Sequence, residues 1–238
     1  MEKHTLLYSG KAKTLYTTED ANLLVVEFRD DTTAFDGEKC EKLNNKGAVN
    51  AAISHFLMES LSKAGVETHF VKSLNATEAV VKNLKMLPIE CVVRNIAAGS
   101  LCRRLGVQSG LTLTPPMFEF FLKNDELHDP LINRDHAISF RWATAQQLDQ
   151  MRAMSLKVNE VLRQVFSEAG LILVDAKYEF GLLGDQLVLG DEISPDSCRL
   201  WDALTKESLD KDRFRQNLGG VIDSYQEVAA RLGLSLPA

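Results

Sequence analysis

Three ionisable residues alternate with other side chains in the segment LVDAKYEFG: Asp175, Lys177 and Glu179. Successive side chains of an extended strand point to opposite faces, so these three share one face. The next segment, QLVLGDEIS, carries Asp191 and Glu192 just past its apolar run, and Gly184-Asp185 between the two is a hairpin turn signal. Folded back over that turn, Glu179 lies opposite Asp191 to within one residue of register. Two carboxylates converging across a hairpin, with the Lys177 ammonium beside them, form a natural Mg2+ site. The same pattern also describes the polar outer face of an antiparallel strand, and by itself it leaves both open.

Other stretches supply cations. In YSGKAK, Gly10 permits close backbone approach, while Lys11 and Lys13 share a strand face. The stretch suits the phosphates of a nucleotide, and it also reads as a plain glycine turn with exposed lysines. It is not a Walker A loop, because GxxxxGK[ST] is absent. In IECVVRNIAAGS, Arg94 ends a strand and Gly99-Ser100 open a helix. An arginine, a hydroxyl and helix N–H groups make an anion site, although the stretch reads first as an ordinary strand–helix junction with a surface arginine. Arg199 follows the acidic pair in SPDSCRLWD, and Lys211 and Arg215 in DKDRFRQ are four apart, hence on one helix face. With Arg94 they supply enough positive charge for a substrate bearing several anionic groups.

The elements that must position these residues follow from periodicity. LLYSG and KTLYTT flank the Gly10 turn as strands, and NLLVVEFRD is a third. Helical spacing of apolar residues runs over 46–64, with Gly65 as the stop. EAVVKNLK is a strand, Met86-Leu87-Pro88 marks a join between two lobes because Pro88 cannot donate to a sheet, and IECVVRN resumes as a strand. A short helix ends at Gly106. The prolines of residues 110–141 make that region loop-rich. Residues 144–169 form the clearest helix, opened by a Thr144/Gln147 capping box. The hairpin follows, and residues 208–232 read as helical with a Gly219-Gly220 interruption.

Composition bounds the function. The 238 residues carry a net charge of −6, with 45% hydrophobic and 25% charged residues, an ordinary globular balance. An acidic chain argues against general nucleic-acid binding. Cys40, Cys91, Cys102 and Cys198 form no CxxC pair, and the five histidines form no HExxH. A metal is therefore sought among carboxylates. The N-terminal MEKHTLLYSGKAK has no signal-peptide apolar region and no stretch is long enough to span a bilayer, so a cytoplasmic protein without membrane partners is expected.

LPIECVVRNIAAGS and LVDAKYEFG, supported in order by YSGKAK, DTTAFDG, FLKNDELHDP, GDEISPDSCRLWD and DKDRFRQ, closely resemble the SAICAR synthetase family of purine biosynthesis. The resemblance spans nearly the whole chain. It implies an α+β fold of two lobes: an N-terminal antiparallel-sheet lobe, 1–86, similar to kinase and ATP-grasp nucleotide domains, and a larger C-terminal lobe, 87–238, with ATP between them. It implies ligation of the carboxylate of carboxyaminoimidazole ribonucleotide (CAIR) to the amine of L-aspartate, with ATP and Mg2+, through an acyl phosphate. Lys11, Ala12 and Lys13 would meet ATP phosphates, and Lys82 and Leu84 would offer backbone groups to adenine. Glu179 and Asp191 would hold Mg2+. Lys177 would stabilise charge on the transferring phosphoryl group or on the CAIR carboxylate, and Asp175 would orient the imidazole amine or Lys177 itself. Arg94, Ser100 and Arg199 would grip the CAIR phosphate, with Lys211 and Arg215 closing over it. Glu90, Asp36, Lys123 and Asp129 complete the candidate substrate set. A homodimer is the expected assembly. Thr33, Ser197 and Cys198 depart from the common pattern, and Cys198 lacks a hydroxyl. A small-molecule kinase of similar architecture is the competing enzyme, although no HRD or DFG pattern is present. A non-catalytic binding protein would require a broken site, whereas Lys13, Lys177, Glu179 and Asp191 are all present.

Overall fold

Two antiparallel sheets share one buried helix. The computed structural model describes residues 2–34 and 39–236. The first sheet has the order β1-β2-β3-β7-β6. Its strands are β1 (Leu6–Ser9), β2 (Lys13–Thr17), β3 (Leu23–Phe28), β6 (Phe70–Ser73) and β7 (Glu78–Lys82). A separate ribbon pairs β4 (Asp31–Ala34) with β5 (Lys39–Lys42), and α1 (Lys46–Lys63) follows it. The candidate Asp36 lies outside the described residues.

The second sheet is built around two long strands, β8 (Lys85–Ile96) and β11 (Leu171–Leu183). Beside β8 run β9 (Thr112–Leu122) and β10 (Leu131–Ile132). The other edge of β11 is shared: β12 (Gln186–Gly190) pairs with its C-terminal half and β13 (Cys198–Asp202) with its N-terminal half. The helices of this half are α2 (Ser100–Leu105), α3 (Arg134–Ser139), α4 (Ala145–Glu168), α5 (Asp212–Arg215) and α6 (Val221–Arg231).

α1 explains why the halves pack as one body. Val49, Ile53, Leu57, Met58 and Leu61 join the core of the second sheet, whereas Ala51 joins Leu24, Val26 and Phe28 of the first. A helix buried on several sides needs apolar residues around most of its circumference, and α1 has them. Residues before 86 therefore contribute directly to the larger core.

Proline placement corrects two sequence expectations. The chain leaves the first sheet at Lys82 and enters the second at Lys85, so Pro88 is inside β8. There Phe180 of β11 faces the three residues Leu87 to Ile89 across a register break, which suits a residue with no N–H to donate. Residues 110–141 are not mainly loop: β9 occupies eleven of them. Pro115 and Pro116 fall in a second break, where Asn95 faces residues 113–116. Residues 208–211 are not helical either. Ser208 bridges to Trp201, and the Asp210 carboxylate accepts from Leu200 N (2.8 Å), so β13 holds this stretch extended. The hairpin is as expected, with Leu183 paired to Gln186 across Gly184-Asp185, and α4 carries both halves of the Thr144/Gln147 capping box.

Candidate active site

A cavity of about 840 Å³ opens between the sheets. Cross-strand register builds its floor. On β11, Asp175 pairs with Arg94 of β8 on one side and Arg199 of β13 on the other. Arg94 Nη1 donates to Asp175 Oδ2 at 2.9 Å, and Arg199 Nη1 donates to both Asp175 oxygens at 2.9 and 3.1 Å. Asp175 thus holds two arginines and, contrary to one expectation, is not bonded to Lys177; the register places a guanidinium directly on either side of it. Arg94 is almost fully buried, with Nε on Glu119 (2.6 Å) and Nη2 on Ser100 Oγ (3.2 Å). Ser100 does not line the cavity; its hydroxyl supports Arg94 from behind. Arg199 Nε donates to Asp212 Oδ2 at 2.7 Å, and Arg215 Nη1 donates to Asp212 Oδ1 at 2.6 Å. Lys211 and Arg215 line the same wall as Arg199. Burial lowers the pKa of Lys211.

Two residues further along β11 the charges alternate. Lys177 Nζ reaches Glu90 Oε1 at 2.9 Å, Glu179, and Asp191 Oδ2 at 3.8 Å. Lys123 contacts Glu179 as well. Burial opposes the Lys177 charge, yet Glu179, Glu90 and Asp191 outweigh it and raise its pKa well above the ordinary value. Lys177 is therefore an ammonium at neutral pH. Glu90 is pushed up, chiefly by burial. Burial would also push Asp191 up, but Lys13, Lys177 and Lys123 hold it well below the usual carboxylate range.

Glu179 pairs with Gly190, so Asp191 is one residue past the directly opposed position. Glu179 and Asp191 both reach Lys177 Nζ, which lies between them. Among the described residues no three His, Cys, Asp or Glu side chains group into a metal cage. A magnesium ion carried on nucleotide phosphates needs only one or two protein carboxylates, so this pair fits such an ion.

The first sheet supplies the cavity roof. Gly10, Lys11, Ala12 and Lys13 line it. Lys13 contacts Asp191 and, at 3.0 Å, Glu192, while Lys11 Nζ is 2.8 Å from Asp125. Asp191 and Glu192 outweigh the burial of Lys13 and raise its pKa. Asp129 lines the cavity and accepts from Asn124 N at 2.8 Å. Lys82 and Leu84 line the far end. The Lys82 N–H is already bonded to His69 O (2.7 Å), which leaves Leu84 as the better source of a backbone contact to a base. Cys198 is buried, and burial pushes its thiol well up, so it is neutral.

Sequence reasoning missed Arg29, Glu119, Asp212 and the pair Lys46–Asp196 (2.6 Å). Glu119 had a usable signal, since it is the acid among the aromatic residues of MFEFF. Asp212 stands in DKDRFRQ between Lys211 and Arg213, whose charges dominate the pattern.

Residues 6–232 match the SAICAR synthetase family. A phosphoribosylaminoimidazole-succinocarboxamide synthase of Coxiella burnetii is 61% identical over 234 residues, covering 98% of each chain. The crystal structure of the enzyme of that name from Ehrlichia chaffeensis superposes with a TM-score of 0.95 at 43% identity, covering 98% of this chain and 100% of that one. A SAICAR synthetase solved in complex with ADP gives a TM-score of 0.93 at 44% identity, covering 97% and 99%. Among the described residues no helix is long and apolar enough to cross a membrane.

Proposed function

The chain belongs to the SAICAR synthetase family, and from that premise we propose how its cavity joins the carboxylate of CAIR to the amine of L-aspartate with conversion of ATP to ADP and phosphate. A carboxylate is a poor electrophile. An oxygen of the CAIR carboxylate attacks the γ-phosphorus, ADP leaves, and the acyl phosphate is then attacked by the aspartate nitrogen with loss of phosphate. Such chemistry demands placement and charge compensation more than covalent help from the protein.

The alternating charges of the floor carry this reading. Lys11 and Lys13 receive the ATP phosphates on the roof, and Leu84 faces the adenine. Lys177, held cationic among carboxylates, meets the charge that develops on the transferring phosphoryl group. Arg199, Lys211 and Arg215 bind the CAIR phosphate from one wall, with Arg94 beneath. Asp175 fixes the two guanidinium groups at the spacing they need, a positioning role. Glu90, Lys123 and Asp129 line the side from which the acceptor carboxylate and aspartate approach, and Asp36 belongs to the same candidate set. Glu179 and Asp191 would hold a bound Mg2+, which would supply charge neutralisation for the nucleotide phosphates. The protein acts in the cytoplasm, as a homodimer, with its nucleotide lobe ending where the chain crosses from Lys82 to Lys85 and its substrate lobe following.

The test is coupled product analysis. ADP release should require CAIR and L-aspartate together and should match succinocarboxamide product one to one. ADP release at full rate without aspartate would replace the ligase with a kinase.

A further inference from the structure

β1 is an edge strand whose four side chains are all exposed, so the Gly10 turn has little packing of its own. Arg29, just past the end of β3, holds it. Arg29 does not line the large cavity, although Gly10, Lys11, Ala12 and Lys13 do; it grips the turn from the other side. Its Nη1 donates to Thr14 Oγ1 (2.6 Å), Ser9 Oγ (2.8 Å) and Lys13 O (3.2 Å), and its Nη2 donates to Gly10 O (2.5 Å). Its backbone N–H donates to Ala12 O at 2.8 Å. Asp31 Oδ2 accepts from Nε at 2.7 Å and fixes the plane of the guanidinium. One side chain and its own N–H therefore bond to Ser9, Gly10, Ala12, Lys13 and Thr14. Because a trans peptide is planar, turning the Gly10 carbonyl toward Arg29 turns the Lys11 N–H in the opposite sense.

We propose that Arg29 is a positioning residue for phosphate binding: its planar fork presets the Gly10–Lys13 turn in the shape that receives the nucleotide phosphates. The inference rests on the reading of that turn as the phosphate site. A glycine-containing turn left to itself samples many conformations, and ordering it on binding weakens affinity. A lysine at 29 could hold Asp31, but a single ammonium cannot reproduce the fork.

The experiment compares Arg29→Ala, Arg29→Lys and Lys13→Ala in steady-state assays, with KM for ATP and for CAIR read separately. Arg29→Ala is expected to raise KM(ATP) about tenfold and to leave KM(CAIR) within about twofold, because loss of preorganisation acts on the nucleotide alone. Millimolar guanidinium should recover part of the loss in Arg29→Ala and none in Lys13→Ala. Arg29→Lys should also raise KM(ATP), and it carries the comparison if the alanine variant fails to fold. A merely structural arginine would lower the active fraction, and so kcat, without moving KM(ATP). That result, or an equal rise in both KM values, overturns the proposal. If Lys13→Ala raises KM(ATP) and both Arg29 variants do not, only the role of Arg29 fails. If Lys13→Ala leaves KM(ATP) unchanged, the phosphate reading of the turn fails, and this inference with it.

Discussion

Gly99→Ala adds one methyl group and removes no charge, yet it should disable the anion wall. Gly99 precedes α2 with φ 56° and ψ −127°, a region that side chains avoid. A Cβ there would lie 2.4 Å from Arg199 Nη2, 2.6 Å from Cζ and 2.9 Å from Nη1. Atoms in contact sit ~3.5 Å apart, so the guanidinium must retreat by about 1 Å. That retreat breaks its bonds to Asp175 and Asp212. Backbone strain costs about 1–3 kcal/mol, and each charge-assisted bond lost costs about 1.5–3 kcal/mol before relaxation. Relaxation of the arginine into new contacts restores part of this, so Gly99→Ala should lower the unfolding free energy by about 3–5 kcal/mol. In an Arg199→Ala background only the strain remains, so the double-mutant cycle should show a coupling of about 2 kcal/mol. Urea denaturation of the four proteins measures it. Arg199→Ala alone should weaken CAIR binding by roughly 1.5–3 kcal/mol, about 10- to 100-fold, and Gly99→Ala should approach the same value. Additivity within about 0.5 kcal/mol would refute the steric argument.

Glu179→Gln should lower kcat by about a hundredfold or more and shift the Mg2+ requirement upward, because one carboxylate loses its charge. Turnover measured against Mg2+ concentration checks this, and near-normal turnover at ordinary Mg2+ would remove Glu179 from the metal site. A third prediction concerns pH. Burial, and then the Asp212 carboxylate, push Asp210 up to about 7, against the N–H groups of Leu200 and Asp212 that favour its charge. A carboxyl raised in the folded state keeps its proton while the unfolded chain has lost it. Its contribution to stability is therefore full near pH 4, falls as pH rises toward 7 and is flat above. The slope is at most about 1.4 kcal/mol per pH unit. Asp210→Asn should remove that component, as urea titrations at pH 5 and pH 8 would show, and equal pH dependence in both proteins would refute it.

Local patterns were legible and distant partnerships were not. The three opening strands, the two-residue turn at Gly184-Asp185 and the capped helix α4 are each written in a short window of sequence. β9 was hidden because Pro115 and Pro116 look like a loop, and only the structure shows the register break that absorbs them. The helix expected over 208–211 fails because Asp210 and Ser208 bond to β13, a contact between segments. The site divides the same way. Lys177, Glu179 and Asp191 announce themselves by period and turn. Glu119 and Asp212 act by holding an arginine from elsewhere in the chain, and Arg29 acts by gripping a turn that belongs to other strands.

Register is the link between the readable part and the rest. Asp175, Lys177 and Glu179 share a face in any strand, but they make a site only because β8 brings Arg94 and Glu90 to the same face. A slip of one residue between β8 and β11 would put Val93 and Cys91 beside them, burying the arginine's charge in the core and exposing apolar groups to the cavity. The register break at Pro88 stands next to the Glu90–Glu179 pair, and the break at Pro115-Pro116 follows Arg94. The prolines that obscured the strands in the sequence therefore stand at either end of the segment that must stay in step. Their inability to donate sets the breaks in pairing at the two ends of the Glu90–Arg94 segment, whose residues Glu90, Val92 and Arg94 line the cavity.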